Sequence, residues 1–230
     1  MNLSRGTIFT LVSLAVLGLA TLSFADPVTI PVGLLPGDTY RLVFVTSTTT
    51  DASHGDIGYY DAFVNAAANS SPDLAALDTT WTPIVSTTDG NVAFNLVGSF
   101  TDPIYDLASD EVANGSAGLW TASLLSEIAI DQNGNFESYM YVWTGTHTDG
   151  SADVFPLGAF IPAEGSTGYS NYGWIGISHA SPDQENSVYA ISGELTVPTI
   201  PEPGSLSLMM LGGIALVGKL RNLRTHKCTG

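Results

Sequence analysis

The body of this sequence is almost without positive charge. Of 230 residues, six are Lys or Arg and 22 are Asp or Glu. Arg5 lies near the start, and Lys219, Arg221, Arg224 and Lys227 lie near the end. Between Asp26 and Ile200, Arg41 alone stands against 21 acidic residues, a balance of −20. Such a surface repels phosphate backbones, so nucleic acid is not an expected partner. Cations, basic proteins and divalent metals are its natural counter-charges. A like-charged coat also keeps copies of the chain apart in solution.

Cysteine is nearly absent as well. Cys228, the one cysteine, sits in the C-terminal tail, so the body has no internal disulfide. Its stability must come from an apolar core, from a metal, or from both. Four tryptophans, Trp81, Trp120, Trp143 and Trp174, make a substantial core plausible for a chain of this length. Trp81, Trp120 and Trp143 are expected to be buried.

Catalytic signatures are missing too. There is no His-Glu-x-x-His helix, no paired cysteine motif and no zinc spacing. A Gly-x-Ser-x-Gly elbow and a glycine-rich phosphate loop ahead of a helix are also lacking. No carboxylate pair stands out among so many acids as glycosidase machinery. The reading is non-enzymatic, with no cofactor required.

What is present begins at the two ends. The first residues, "MNLSRGTIFTLVSLAVLGLATLSFADP", combine Arg5, an apolar run over residues 8–19 and small residues at Ser23 and Ala25. This pattern predicts a secretory signal peptide over residues 1–25, cut by signal peptidase between Ala25 and Asp26. The chain ends "TVPTIPEPGSLSLMMLGGIALVGKLRNLRTHKCTG". Residues 206–217 are nearly all apolar, with Gly212 and Gly213 inside, and basic residues follow at once. The run is short for a bilayer span, which takes about 20 residues, and Lys219 extends it by reaching the interface. The basic end is expected to stay in the cytoplasm and the acidic body outside. Pro201 and Pro203 keep the preceding stretch extended and accessible to an enzyme.

Pro201-Glu202-Pro203, the apolar helix and the basic end, in that order, resemble the PEP-CTERM sorting signal of Gram-negative bacteria. The resemblance covers residues 201–230. It implies recognition by an exosortase, a membrane transpeptidase-like enzyme, with cleavage near the Pro-Glu-Pro motif. It also implies an inner-membrane intermediate, a final place at the cell surface or in the extracellular matrix, and an association with exopolysaccharide and biofilm.

The body, residues 26–200, reads as one α+β domain. "TYRLVFVTS" (residues 39–47) is rich in β-branched and aromatic residues and predicts a buried strand after the Pro36-Gly37-Asp38 turn. In "SHGDIGYYDAFVNAAANSS", Ile57, Tyr60, Val64 and Ala67 fall at helical spacing, with Ser53 or Asp56 as the cap. Pro72 ends that helix, and a short helical turn is expected over residues 73–77. Strand-like runs follow at residues 81–86, 103–107, 128–130, 138–146, 173–178 and 188–197, with polar loops between them. Residues 115–125 predict a second helix, and residues 152–171 read as a long loop. Early helices followed by short, looped antiparallel strands make an α+β unit.

The pieces "WTPIVSTT", "GLW", "VWTGTHTDG", Trp174 and "YAISGEL" resemble a C-type-lectin-like module across residues 40–196. That resemblance implies two helices, looped strands and a final strand paired with the first. The usual cysteine pairs and the Glu-Pro-Asn or Trp-Asn-Asp sugar motifs are absent, so lectin activity does not carry over with it.

Three acids are candidates for calcium, which prefers oxygen ligands. Asp131 stands in "DQNGNFE", where Asn133-Gly134 also signals a tight turn. Asp149 and Asp153 stand with His147 in "THTDGSAD", which also reads as a polar connecting loop. Arg41, the lone cation, is expected to pair with an acid, because a buried guanidinium without one is costly. The leading expectation is an exported, non-enzymatic matrix protein. The alternative is a calcium-assisted carbohydrate- or protein-binding lectin-like module.

Overall fold

The computed structural model describes residues 27–199. The predicted signal peptide, its Ala25–Asp26 junction, the Pro201-Glu202-Pro203 motif and the apolar tail lie outside the described residues. Among the described residues, no helix is long and apolar enough to cross a membrane.

Strand β1 (Thr39–Val45) is the axis of the fold. Its side chains alternate between two cores, as the period of a strand requires. Tyr40, Leu42 and Phe44 enter one core, while Val43 and Val45 enter the other. The next element, α1 (Ile57–Ser70), begins where Asp56 accepts a hydrogen bond from the Gly58 N–H at 3.0 Å. That satisfies one of the free donors of the first turn. Tyr60, Val64, Ala67 and Ala68 form its buried stripe. Pro72 then opens the short α2 (Pro72–Ala75), a position where its missing N–H costs nothing.

After β2 (Trp81–Pro83) come α3 (Ala93–Val97), β3 (Pro103–Tyr105), β4 (Glu111–Asn114) and α4 (Gly115–Leu119). The chain continues through β5 (Tyr141–Trp143) and β6 (Ala163–Ser166) to a 3₁₀ turn at Tyr172–Trp174. It ends with β7 (Ser178–His179), β8 (Ser187–Ser192) and β9 (Leu195–Thr196). The nine strands form one sheet, ordered β4-β3-β1-β8-β5-β6-β7. Strand β2 pairs additionally with β8, and β9 with β1.

The α+β class therefore holds, with one correction: the sheet is mixed, not antiparallel. β1 runs parallel to β3, and β5 runs parallel to β8. The closing strands do return to the first, since Val43 faces Ile191 and Tyr40 faces Leu195. Strand β8 alternates like β1: Val188 and Ala190 enter the first core, Tyr189 and Ile191 the second.

Several local expectations change. Residues 128–130 form no strand; Ile130 makes only an isolated bridge with Phe136. Most of residues 173–178 is a 3₁₀ turn and bend, with strand pairing only at Ser178–His179. The second helix stops at Leu119, after five residues. The expected loop at residues 152–171 contains β6, fully buried between β5 and β7. Gly165 permits that position: a Cβ there would collide with the Trp174 carbonyl. Trp81 and Trp143 are buried as expected. Trp120 is only half-buried, tilted against Phe94 and stacked on the fully buried Trp174.

Arg41 finds its acid. Its Nε lies 3.7 Å from Asp102 Oδ2, its guanidinium stands 3.9 Å over the Phe100 ring, and its Nη1 donates to the Ser192 carbonyl at 3.0 Å. The single cation of the body is thus spent on holding β1 against the loop before β3.

Candidate functional site

The three carboxylates singled out in the sequence have three different fates. Asp131 folds its own turn. Its Oδ1 accepts from the Asn133 and Asn135 N–H groups, both at 2.8 Å, and its Oδ2 accepts from the Asn135 side-chain amide at 3.1 Å. Gly134 supplies the left-handed residue of this turn, with φ of 81°. Asp149 does the same for a smaller turn, accepting from the Ser151 N–H at 2.9 Å and from its hydroxyl at 2.5 Å. Those two bonds hold the Asp149 carboxyl below its usual range. Among the described residues, no three His, Cys, Asp or Glu side chains are grouped to hold a metal ion. The structure does not assemble Asp131, Asp149 and Asp153 into one site.

Asp153 is different. Only 9% of its side chain is exposed, and it sits between two imidazoles. His179 Nε2 lies 3.0 Å from Oδ1, and His147 Nδ1 lies 3.3 Å from Oδ2. The Phe155 N–H donates to Oδ1 at 2.8 Å. Burial pushes the Asp153 carboxyl up. The Phe155 N–H, His179 and His147 outweigh it and leave the group below the usual carboxylate range.

Three pieces of local structure bring these residues together. His147 stands on the turn after β5, closed by its own N–H to the Ser151 carbonyl at 2.8 Å and by the Thr146–Ala152 bridge. His179 is on β7, opposite Ala163 of β6. Because β6 pairs with both β5 and β7, it carries the β5 turn and β7 to the same place. Phe155 packs edge-on against the His179 ring at 5.6 Å and fixes its plane.

The arrangement has a definite chemical content. An ionised carboxylate only accepts hydrogen bonds, so in the 3.0 Å pair with His179 it is the imidazole that donates. Asp153 thereby helps to orient the His147 and His179 rings. Both rings line a cavity of about 150 Å³, together with Thr148, Asp153 and Ser178. The Ser178 hydroxyl is committed to Glu164 at 2.6 Å, and the other Glu164 oxygen accepts from the Asn186 side chain at 2.9 Å. Glu164 is buried and serves the sheet.

Sequence reasoning named Asp153 and His147 but not His179 as their partner. Asp153 and His179 are 26 residues apart, and the strand that joins them has no strand-like composition. Comparison of the chain with protein-family models and with curated proteins finds no match.

Proposed function

We propose that the protein is an exported, non-enzymatic component of the cell surface or extracellular matrix. It would be sorted by an exosortase and associated with exopolysaccharide. One observation supports this above the rest: the anchored fold fits between the two processing signals. The Val28 N–H, held by the Leu107 carbonyl at 2.8 Å, lies three residues after Ala25. At the other end, the Val197 N–H is held by Asp38 and its carbonyl accepts from the Gly37 N–H, four residues before Pro201. Cuts at both signals would leave every one of these pairings intact. The resemblance of residues 201–230 to the PEP-CTERM signal supplies the sorting enzyme. The charge of the body suits a hydrated, crowded exterior.

A second reading, a C-type-lectin-like binding module, draws on the return of β8 and β9 to β1. Its calcium-assisted form would need acids freed from their own turns, since Asp131 and Asp149 already have hydrogen-bond partners.

Intact mass and cell fractionation in the native host test the first reading. The expected product starts at Asp26 and lacks the apolar tail. A mature species that retains residues 206–230 in an exosortase-positive cell would refute sorting. A glycan array read with and without calcium separates the two readings, because only the second expects calcium-dependent spots.

A further inference from the structure

The two ends of the described chain line one cavity, through Thr29 and Ile30 on one side and Pro198 on the other, and the loop beside it carries exposed apolar side chains. Strand β9 pairs with the start of β1, and the Gly37 N–H reaches the Val197 carbonyl at 3.0 Å. The loop ahead of β1 exposes Ile30 at 45%, Val32 at 85% and Leu35 at 67%. This is no slack segment: the Val32 N–H donates to Ser109 Oγ and the Leu35 N–H to Asp38 Oδ2, both at 2.7 Å. The cavity beside the loop, of about 360 Å³, has a mixed lining, Ile30, Leu77, Leu195 and Pro198 together with Glu194 and Thr196. Other large apolar side chains are exposed elsewhere on the domain, Val154 and Phe160 among them, but the grouping of these three on one pinned loop calls for a reason.

The chain outside the described residues supplies that reason. The apolar run starting at Leu206 begins eight residues after Pro198, a tether of at most about 28 Å when fully extended. The predicted signal peptide ends five residues before Ile30. Both apolar segments therefore feed into this one end of the domain. If either lies in a bilayer, this end is the part of the body held nearest to it.

We infer that residues 30–35 and the adjacent cavity form a membrane-resting surface, which seats the domain on uncharged or zwitterionic lipid while the tail is still attached. The inference rests on the proposed role of the tail as a membrane segment. Asp38 and Glu194 flank the surface, and the whole body is acidic, so the contact is apolar and not electrostatic. Anionic lipid should weaken it. Salt, which screens that repulsion, should strengthen it. This is the reverse of a basic membrane-binding patch.

The unique cysteine makes the test direct. In the full chain carrying Cys228→Ser, Val32→Cys is labelled with a polarity-sensitive fluorophore. The protein is reconstituted into phosphatidylcholine–phosphatidylethanolamine vesicles containing a nitroxide-bearing lipid. A control carries Asp183→Cys instead, an exposed position beyond the far end of β1, where the Pro182 carbonyl meets the Ala52 N–H. The label at position 32 should be quenched several-fold more than the label at 183. Leu35→Asp should bring it down to the control, and anionic vesicles should lower it except in high salt. If the protein floats with the vesicles but the two labels are quenched equally, the surface faces water and the inference is wrong. If the protein does not float with them at all, the membrane role of the tail fails, and this inference fails with it.

Discussion

The sheet separates two cores that differ in how they treat their polar aromatic atoms. On the face covered by α1, three of the buried aromatics have partners for their polar atoms. Trp143 Nε1 donates to the Thr50 carbonyl at 2.9 Å, the Tyr60 hydroxyl to the His54 carbonyl at 3.0 Å, and the Tyr40 hydroxyl to the Thr29 carbonyl at 2.6 Å. On the face covered by α3, α4 and loops, Trp174 Nε1, Trp120 Nε1 and the Tyr189 hydroxyl are buried without a protein partner. Burial pushes the Tyr189 hydroxyl far above its ordinary pKa, with Glu127 adding to the effect. A long helix closes its face with side chains at fixed spacing. Short helices and loops close theirs piecewise and leave aromatic heads without acceptors. The lesson concerns coverage: an unmade bond costs a buried group more than a made one contributes.

The largest test of this contrast is Trp143→Ala. It removes a fully buried ring and one of the two donors to the Thr50 carbonyl, the Asn186 N–H remaining, so a loss of about 3–5 kcal/mol is expected. Denaturant unfolding should show a collapsed midpoint or no cooperative transition. An unchanged curve would mean that the α1 face does not carry the stability.

A finer test compares Trp143→Phe with Trp174→Phe. Both shrink a buried indole by similar amounts. Only the first breaks a hydrogen bond, and the second removes an orphaned N–H. The first should cost about 1–3 kcal/mol more than the second. Equal costs would show that a water already serves Trp174, and the contrast between the faces would vanish.

Asp153 gives a test on the edge of the sheet, governed by pH. Its carboxyl is held below its unfolded value in the folded state. Its contribution is therefore fully present above the ordinary carboxylate range, near pH 4, and is lost as the pH falls through the lower folded value. Asp153→Asn should cost roughly 1–3 kcal/mol at pH 7 and progressively less below pH 4. Asp106 behaves oppositely: burial raises it despite hydrogen bonds from Ala108 and Asp110. Its charge opposes folding at neutral pH, and acid relieves that cost. Melting curves of Asp153→Asn and Asp106→Asn from pH 3 to 7 should diverge from the parent in opposite directions.

The smallest expected effects are those of two hydroxyl deletions. Tyr60→Phe breaks a bond to a loop carbonyl and should cost about 1 kcal/mol. Tyr189→Phe removes a hydroxyl with no protein partner and should be neutral or slightly stabilising. A clear loss in Tyr189→Phe would place an ordered water on that hydroxyl.

The same contrast separates what the sequence made legible from what it did not. The helix over α1 could be read because its stripe repeats for four turns between Asp56 and Pro72. Strands β1 and β8 could be read because β-branched and aromatic residues run through both. The opposite layer could not. The five-residue helices α3 and α4 are too short to show a period, and β6, with Ala163, Glu164, Gly165 and Ser166, is made a strand by its neighbours. The candidate site inherits that opacity. Asp131 and Asp149 are candidates by composition, and the same composition builds the turns in which both are found. His179 was invisible as the partner of Asp153 because β6 alone brings them together. Trp120 looked like core because its size suggests it, yet its ring is only half-buried against Phe94 and Trp174.

The adjacency of the chain ends has a mechanical consequence. The last pairing of the chain is two residues of β9 on β1, extended by the Val197 contacts with Gly37 and Asp38. A force that lifts the C-terminal end away from the body meets these antiparallel rungs one after another, as a zipper does, while the start of the chain stays pinned at Leu107 and Ser109. Strand β9 should therefore peel at low load, whereas β8, flanked by β1, β2 and β5, stays seated. A domain tethered through its tail would lengthen by a few residues under sudden tension and re-close when it passed, with the core behind β8 undisturbed.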